Sequence, residues 1–249
     1  MIRVRDVTFA FPGRKVLSSL SIDIEEALTT VVIGRSGIGK SVLLRCITGL
    51  LKPQGGSIDI DGEEIIGAGR QELLDIRRRI GMLFQEGALF DSLNVYDNVA
   101  FPLVYHKSST PKEIGMKVES FLDLVGMSEW AHAMPQELSG GMKRKVAVAR
   151  AMILEPKYLL YDEPTAGLDP ESAAIVEATM KRLQSERSIT SLVVTHDIDL
   201  TQYIGDRIAL IDEGRIVAFG DHETSFRQGS PIYVHFFEKR ERIRQGNDS

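Results

Sequence analysis

The stretch Gly34-Arg-Ser-Gly-Ile-Gly-Lys-Ser41 (GRSGIGKS) follows directly after the apolar run Thr29–Ile33. Its spacing is G-x-x-x-x-G-K-S, in which the glycines let successive backbone N–H groups converge on an anion. The helix predicted to begin near Lys40 adds the positive end of its dipole at the same place. A glycine-rich turn without a ligand is the alternative. The spacing, with a strand before it and a helix after it, favours a phosphate-binding loop.

Two side chains of this loop have predicted roles of their own. Lys40 supplies a positive charge for the β- and γ-phosphates of a nucleotide, and Ser41 supplies a hydroxyl ligand for Mg²⁺. The predicted nucleotide contacts in this part of the chain are Gly34, Arg35, Ser36, Gly37, Ile38, Gly39, Lys40, Ser41 and Val42.

The composition sets limits on the class of protein. With 249 residues, 43% of them hydrophobic, the chain is predicted to be one large domain or one domain with an inserted subdomain. The net charge of −5 argues against nucleic acid as the main partner. The single cysteine, Cys46, lies in an apolar helical pattern and is predicted to be a buried structural residue. No window offers the roughly 20 apolar residues that a membrane span needs, and the first residues lack the apolar core of a signal peptide.

Predicted strands and helices alternate along most of the chain, which indicates an α/β fold with a mostly parallel sheet. Residues 86–157 have a different character, with helical segments and turn signals that include Pro102. We therefore expect a helical subdomain inserted between two sheet-forming halves. The predicted strands are Val4–Phe11, Leu20–Ile24, Thr29–Ile33, Ser57–Gly62, Ile80–Phe84, Tyr158–Tyr161, Ile189–Thr195, Arg207–Asp212 and Arg215–Phe219; the predicted helices are Ser41–Leu51, Gln71–Arg79, Pro111–Val125, Gly141–Leu154 and Glu171–Glu186.

A second segment, Lys157-Tyr-Leu-Leu-Tyr-Asp-Glu163, is an apolar strand that ends in two carboxylates. In P-loop nucleotide hydrolases an acid at such a strand end holds Mg²⁺, which is the position of Asp162. Glu163 comes one residue later, where it is placed to polarise an attacking water. A strand capped by two solvated acids is the alternative.

A third segment, Leu138-Ser-Gly-Gly-Met142, places a Ser-Gly-Gly corner at the start of a predicted helix, which is again an anion-binding geometry. LSGGM resembles the signature motif of ABC ATPases, and the other motifs of that family follow in order over nearly all of residues 1–222. Phe11 stands where the family has its adenine-stacking aromatic residue, usually a tyrosine. The further matches are Gln85 of MLFQ with the Q-loop glutamine, Gly167-Leu-Asp-Pro170 with the D-loop, and His196 of VVTHD with the switch histidine.

This resemblance implies a fold, cofactors and a mode of assembly. The fold is a P-loop (RecA-like) core with an antiparallel β subdomain and an inserted helical subdomain, forming an ABC ATPase domain over residues 1–222, with 223–249 as a C-terminal tail. The cofactors are ATP and Mg²⁺. Two copies pair head to tail as a homodimer, so that Lys40 of one chain and Ser139 of the other bind the same ATP.

The resemblance also implies a role for each site residue. Gln85 senses magnesium and the attacking water, Glu163 polarises that water, and His196 contacts the γ-phosphate. The implied catalytic residues are Lys40, Gln85, Glu163 and His196; the implied metal ligands are Ser41, Gln85 and Asp162; and the further nucleotide contacts are Phe11, Gln85, Ser139, Gly140, Gly141 and Asp169.

Residues 84–103, FQEGALFDSLNVYDNVAFPL, are similar to the ATPases of Mce-type lipid transport systems, including the Mla pathway. In ABC transporters this region receives a coupling helix of the membrane subunit, and Ala88, Leu89 and Phe90 suit the apolar face of an amphipathic helix. The alternative is an ordinary start of the helical subdomain, with Phe90, Tyr96 and Phe101 in the core.

This narrower similarity implies lipid or phospholipid transport across the bacterial envelope. It also implies integral membrane permease subunits, a periplasmic lipid-binding component reached through the permease, and a peripheral location on the cytoplasmic face of the inner membrane.

Three other functions are alternatives to lipid transport. An importer cassette for amino acids or another small solute is the nearest, although such importers often add a regulatory domain and only a short tail follows the motifs here. A soluble ABC ATPase acting on DNA or ribosomes would call for coiled-coil insertions, zinc-binding cysteines or two fused cassettes. A pseudo-enzyme that only binds nucleotide does not account for Lys40, Gln85, Glu163 and His196. The apolar segment Ile232–Phe237 is predicted to pack on its own domain or on the dimer mate.

Overall fold

The computed structural model describes residues 1–85, 87–107, 109–227 and 230–234. Within these ranges the strands are β1 (Ile2–Phe11), β2 (Arg14–Ile24), β3 (Thr29–Ile33), β4 (Gly55–Ile60), β5 (Glu63–Glu64), β6 (Ile80–Leu83), β7 (Tyr158–Asp162), β8 (Thr190–Thr195), β9 (Arg207–Asp212) and β10 (Arg215–Asp221). The helices are α1 (Lys40–Ile47), α2 (Arg70–Arg78), α3 (Val95–His106), α4 (Pro111–Leu124), α5 (Gly140–Met152), α6 (Pro170–Arg187), α7 (Ile198–Ile204), α8 (His222–Ser225) and α9 (Pro231–Tyr233). Two 3₁₀ turns cover Ser128–Trp130 and Pro135–Glu137.

The chain divides into two compact units. The first unit consists of Met1–Gly67 and Val194–Ser249, and the second unit is Ala68–Val193. Strand β8 runs across the boundary between them. The boundaries expected from the sequence, a subdomain over about 86–157 and a tail from 223, stay predictions.

The first unit contains an antiparallel sheet with the strand order β2-β1-β4-β5. In β1, Ile2 faces Ile24 of β2 and Ile60 of β4, and all three side chains are buried. Charged residues alternate with these apolar ones, as Arg3 does between Ile2 and Val4, so the sheet has one apolar face and one solvated face.

The same unit also holds the strand that leads into GRSGIGKS. All residues of β3 are buried, as its continuous apolar run predicts for a strand covered on both faces. It pairs in parallel with β9, where Ile33 faces Leu210. Strand β9 then turns back into the antiparallel β10 through Glu213 and Gly214, both of which have positive φ.

The second unit contains the parallel pair β6 and β7, in which Ile80 faces Tyr158 and Leu83 faces Tyr161. Both tyrosines are fully buried, and burial raises the pKa of Tyr161. A Cβ on Gly81 of β6 would lie 2.3 Å from the carbonyl oxygen of Ala151 in α5. Only glycine therefore allows α5 to lie this close to the sheet.

The prediction of a turn at Pro102 was wrong, because this residue lies inside α3. Asn94 caps the helix by accepting a hydrogen bond from the N–H of Asp97 at 2.8 Å. The buried Asn98 side chain accepts from the N–H of Phe90 at 2.8 Å and donates to the carbonyls of Phe90 and Leu93 at 3.1 and 2.9 Å. These bonds attach the beginning of α3 to the loop before it. The helix continues through Pro102, although proline removes one backbone donor, because Val99 and Leu103 on either side of it are buried.

Several element boundaries also differ from the expected ones. Strand β2 begins at Arg14 instead of Leu20, helix α1 ends at Ile47 instead of Leu51, and α7 was not predicted at all. Helix α7 is short, and its cap is Asp197, whose side chain accepts from the N–H groups of Asp199 and Leu200. A helix of two turns has too few residues to show a clear apolar period.

Three further expectations concern Cys46, the tail and the membrane. Cys46 is buried as predicted, and burial raises the pKa of its thiol to about 12. In the tail, Ile232 is buried, while residues 235–237 of the same apolar segment and residues 238–249 lie outside the described residues, as does Glu86. Among the helices described, none combines the length and the apolar character needed to cross a bilayer.

Candidate functional site

The loop after β3 has the backbone geometry that its glycines allow. Gly37 and Gly39 have φ angles of 75° and 118°, a region that side chains disfavour. Gly39 is also the N-cap of α1, and it has no side chain to cap the first turn. The beginning of α1 is therefore arranged as helix N-termini are when they bind anions.

Two glycines of this loop are also required by packing in the first unit. A Cβ on Gly34 would lie 2.7 Å from both the side chain and the carbonyl oxygen of Ile211 in β9. A Cβ on Gly39 would lie 2.9 Å from the side chain of Val16 in β2. The loop is therefore held between β2 and β9, and any larger residue would displace it.

Lys40 is buried, and its ammonium group lies inside the loop. Its Nζ donates to the carbonyl of Gly34 at 2.9 Å and to that of Arg35 at 3.2 Å. Arg14, which was not among the predicted site residues, donates from Nη2 to the carbonyl of Gly37 at 3.0 Å. Two cations therefore contact the loop, one from α1 and one from β2.

Phe11 and His196 also belong to the first unit. Phe11 ends β1 with 45% of its surface exposed, and its ring contacts Phe9 edge-on with centroids 5.0 Å apart. Since the ring of Phe11 is exposed, it is not a core residue of the first hairpin and offers a surface on which a base can stack. His196 is exposed directly after β8, one residue before the cap of α7.

In the second unit, β7 ends at the two predicted carboxylates. Asp162 and Glu163 are both buried, and carboxylates are rarely buried unless other groups pair with them. Glu163 has a φ of 47°, an uncommon value for a residue with a side chain. Such backbone strain concentrates at functional sites, where the surrounding structure maintains it.

The LSGGM segment forms the beginning of α5. Ser139 is the N-cap, and its Oγ accepts from the N–H of Met142 at 3.3 Å. A Cβ on Gly141 would lie 2.4 Å from Oγ of Ser172 in α6. Helix α6 is capped by Asp169, which accepts from the N–H of Ser172 at 2.9 Å, and this bond lowers the pKa of Asp169. The Ser-Gly-Gly corner of α5 and the predicted D-loop residue Asp169 therefore both contact Ser172, at the beginning of α6.

Gln85 is exposed two residues after the end of β6, and the segment around it is attached to α5. The carbonyl of Phe84 accepts from the N–H of Gly87 at 2.8 Å and from Nη1 of Arg144 at 2.7 Å. Arg144 was not among the predicted site residues. Its signal in the sequence was its spacing, three residues after Gly141 and four before Val148, which places it on the buried face of α5.

A groove of about 310 Å³ also lies in the second unit. Phe90 and Phe101 are exposed by 41% and 37%, with ring centroids 4.6 Å apart, so these rings are not core residues. The guanidinium group of Arg150 lies 5.8 Å from the centroid of Phe90. The groove is lined by Ile80, Gly81, Met82, Phe84, Ala88, Phe90, Phe101, Pro102, Arg150, Ala151 and Leu154.

The predicted site residues fall into two groups, one in each unit. The loop from Gly34 to Val42 belongs to the first unit together with Phe11 and His196. The second unit carries Gln85, Ser139, Gly140, Gly141, Asp162, Glu163 and Asp169. The roles assigned to these residues stay predictions.

Comparison with known proteins extends these observations. Residues 17–166 match the sequence profile of the family described as "ABC transporter". The chain is 43% identical over 226 residues to the methionine import ATP-binding protein MetN of Clostridium tetani, covering 91% of this chain and 71% of that protein. It is 39% identical over 238 residues to the intermembrane phospholipid transport system ATP-binding protein MlaF of Haemophilus influenzae, covering 96% of this chain and 90% of that protein.

Solved structures agree with the sequence comparison. The ATP-binding cassette MJ0796, in a dimeric post-hydrolysis state bound to ADP and Pi, superposes with a TM-score of 0.82 and 30% identity, covering 89% of this chain and 99% of that one. CbiO1 of Clostridium perfringens, part of an ABC transporter complex, has the same TM-score and identity and covers 98% of each chain.

The fold, the loop from Gly34 to Ser41 and the Ser-Gly-Gly corner at Ser139 define a P-loop ATPase of the cassette type, as the sequence predicted. The chain belongs to the ABC transporter family, as an ATP-binding subunit that hydrolyses ATP. The resemblance to ATPases of the Mla type is confirmed as well.

Proposed function

We propose that two copies of this chain pair head to tail and hydrolyse ATP at two shared sites. In each site the Gly34–Ser41 loop of one copy and the Ser139 corner of the other bind the same nucleotide. The observation that carries this proposal is that the chain has two glycine-lined helix starts, at Gly39 and at Ser139, and each suits an anion. A nucleotide bound between two copies gives both helix starts a ligand.

The chemistry assigned to this site follows from its side chains. Ser41, Gln85 and Asp162 offer a hydroxyl, an amide and a carboxylate oxygen, which are the ligands that Mg²⁺ prefers. When bound, Mg²⁺ neutralises charge on the β- and γ-phosphates. Glu163 accepts a proton from the attacking water, Lys40 binds the phosphates and His196 contacts the γ-phosphate. Phe11 stacks on the base, and Asp169 is a further contact of the nucleotide.

Mixed dimers test the shared site. Chains with Lys40→Ala and chains with Ser139→Arg, coexpressed with two different tags, form dimers in which one site keeps both Lys40 and Ser139 intact. We expect isolated mixed dimers to hydrolyse ATP well above either variant alone. If mixed dimers are as inactive as both parents while all three remain folded, each nucleotide is bound within one chain and the proposal is wrong.

We also propose that this ATPase is the peripheral, cytoplasmic-face subunit of a transporter in the bacterial inner membrane, and that it moves lipid. The groove beside Phe90 and Phe101 would receive an amphipathic helix of a permease subunit, because its exposed surface is aromatic. The lipid assignment rests on residues 84–103 and on the similarity to MlaF. The permease would connect the ATPase to a periplasmic lipid-binding component.

Amino-acid import is the second candidate, and the similarity to MetN favours it. The experiment that separates the two is purification of the tagged chain with its membrane partners, followed by analysis of bound lipid and by ATPase measurements. Copurified phospholipid, and ATP hydrolysis that responds to a lipid-loaded periplasmic partner, would support lipid transport. Stimulation of hydrolysis by an amino acid with its binding protein would replace lipid by amino acid as the cargo.

A further inference from the structure

Helix α5 carries a buried arginine that joins two different loops of the second unit. The side chain of Arg144 is 4% exposed. Its Nη1 donates to the carbonyl of Phe84, next to Gln85, at 2.7 Å, and its Nη2 donates to the carbonyl of Ala166, in the loop before α6, at 3.4 Å. One guanidinium group therefore connects α5 to the residue before Gln85 and to the loop that leads to Asp169.

A second arginine of α5 holds the other side of Gln85. Arg150 donates to the carbonyl of Ala88 at 2.8 Å and to that of Gly87 at 2.7 Å. Gly87 has a φ of 76°, and a Cβ there would lie 3.5 Å from the Lys143 carbonyl oxygen of α5. The chain on both sides of Gln85 is thus bonded to one helix, while Gln85 itself stays exposed.

The Phe84 carbonyl has both of its acceptor sites occupied, one by the N–H of Gly87 and the other by Arg144. Loss of the guanidinium group would leave one of these acceptor sites without its charged donor in a partly buried place. Lysine would keep the charge but lacks the planar fork that reaches two carbonyls in different directions.

We propose that Arg144 is a positioning residue for ATP hydrolysis, which fixes Gln85 relative to the beginning of α5. Arg144 lies five residues after Ser139, a rise of about 7.5 Å along one helix. Any shift of α5 on binding of nucleotide at Ser139 therefore reaches the Phe84 carbonyl, because the helix moves as a rigid element. This inference rests on the role proposed above for Gln85.

The test uses the full chain with Arg144→Gln. We expect kcat for ATP hydrolysis to fall by about tenfold or more, since small misplacements of catalytic groups have large effects on rate. The KM for ATP should change by less than about twofold, because the phosphate loop is intact. The matched control is Arg182→Gln, which removes another guanidinium bond to a backbone carbonyl, that of Leu124 at 2.6 Å, away from Gln85; its kcat should not change.

A structural measurement separates positioning from general destabilisation. Amide hydrogen exchange is compared between the original chain and Arg144→Gln, both without nucleotide. In the variant, exchange should be faster in the peptide that contains residues 84–88 and unchanged in β3. Arg144→Lys should recover part of the lost kcat. If Arg144→Gln does not fold, the Lys variant is measured in its place against the same control. Equal acceleration of exchange throughout the second unit would overturn the positioning role.

A double-mutant cycle tests whether Arg144 acts through Gln85. In a Gln85→Ala chain, adding Arg144→Gln should lower kcat no further, because the group to be positioned is gone. Fully additive losses would overturn the inference and leave the proposed function intact. Unchanged hydrolysis by Gln85→Ala alone would instead refute the catalytic role of Gln85, so the two failures are distinguishable.

Discussion

Gly141 of α5 and Ser172 of α6 approach so closely that a methyl group on Gly141 would lie 2.4 Å from Oγ and 2.7 Å from Cβ of Ser172. The N–H of the same Ser172 donates to the side chain of Asp169. The contact between Gly141 and Ser172 therefore fixes the Ser-Gly-Gly corner against the beginning of α6. The second glycine of LSGGM is therefore required by packing within the chain, in addition to any contact with nucleotide.

Replacing Gly141 by alanine should destabilise the protein through this collision. Overpacking of this kind costs about 1–3 kcal/mol. Gly140→Ala is the matched control, because a Cβ there would meet Leu168 at an ordinary 3.6 Å. Thermal unfolding should show a lower midpoint for Gly141→Ala alone, and adding Ser172→Gly should recover part of the loss. Equal midpoints for the two alanine variants would contradict the packing argument.

Gly214, in the turn between β9 and β10, should be equally intolerant of a side chain. It has a φ of 74°, and a Cβ would lie 2.4 Å from the carbonyl oxygen of Val16. Gly13 has a φ of 76° but no described atom within 4 Å of a Cβ, so Gly13→Ala shows the cost of backbone strain alone. We expect Gly214→Ala to lose at least about 1 kcal/mol more than Gly13→Ala, a difference of roughly 2–4 °C in midpoint.

Glu163→Gln should bind ATP and hydrolyse it very slowly. Glutamine keeps the volume of the side chain and one acceptor oxygen, but its amide donates where the second carboxylate oxygen accepted and cannot take a proton from water. The variant should therefore accumulate as a dimer in the presence of ATP, which size-exclusion chromatography with light scattering would detect. Normal turnover by this variant would remove Glu163 from the role of general base.

Phe90→Asp should weaken assembly with membrane subunits while leaving nucleotide binding intact. The ring of Phe90 is exposed in the groove, so its replacement places a charge on the surface proposed to receive an apolar helix without disturbing the core. The measurements are the permease content of the purified complex and the ATP affinity of the isolated chain. Leu50→Asp, at an exposed apolar residue of the first unit, is the control. Full permease content in Phe90→Asp would show that this groove is not the docking surface.

The sequence alone determined the fold class and predicted nearly all the residues that we propose for the site. The spacing of Gly34, Gly39, Lys40 and Ser41 needs only local chain geometry, since a strand, a turn and a helix start follow one another within a few residues. The apolar run of β3 and the two acids at the end of β7 could likewise be identified, because each belongs to a continuous segment. The helix at Pro102 was missed because proline locally favours a turn, whereas packing of the buried Val95, Val99 and Leu103 keeps α3 continuous.

Only the tertiary structure showed how these segments are held. Gly34 must be glycine because Ile211 lies against it, and Gly141 must be glycine because Ser172 lies against it. Arg144 joins Phe84 to Ala166. All of these contacts are between residues distant in sequence. A linear pattern indicates which residues share a helix face or a turn, but it does not indicate which remote carbonyl or side chain lies in contact. Those distances are fixed when the core packs, and they decide which side chains can be replaced.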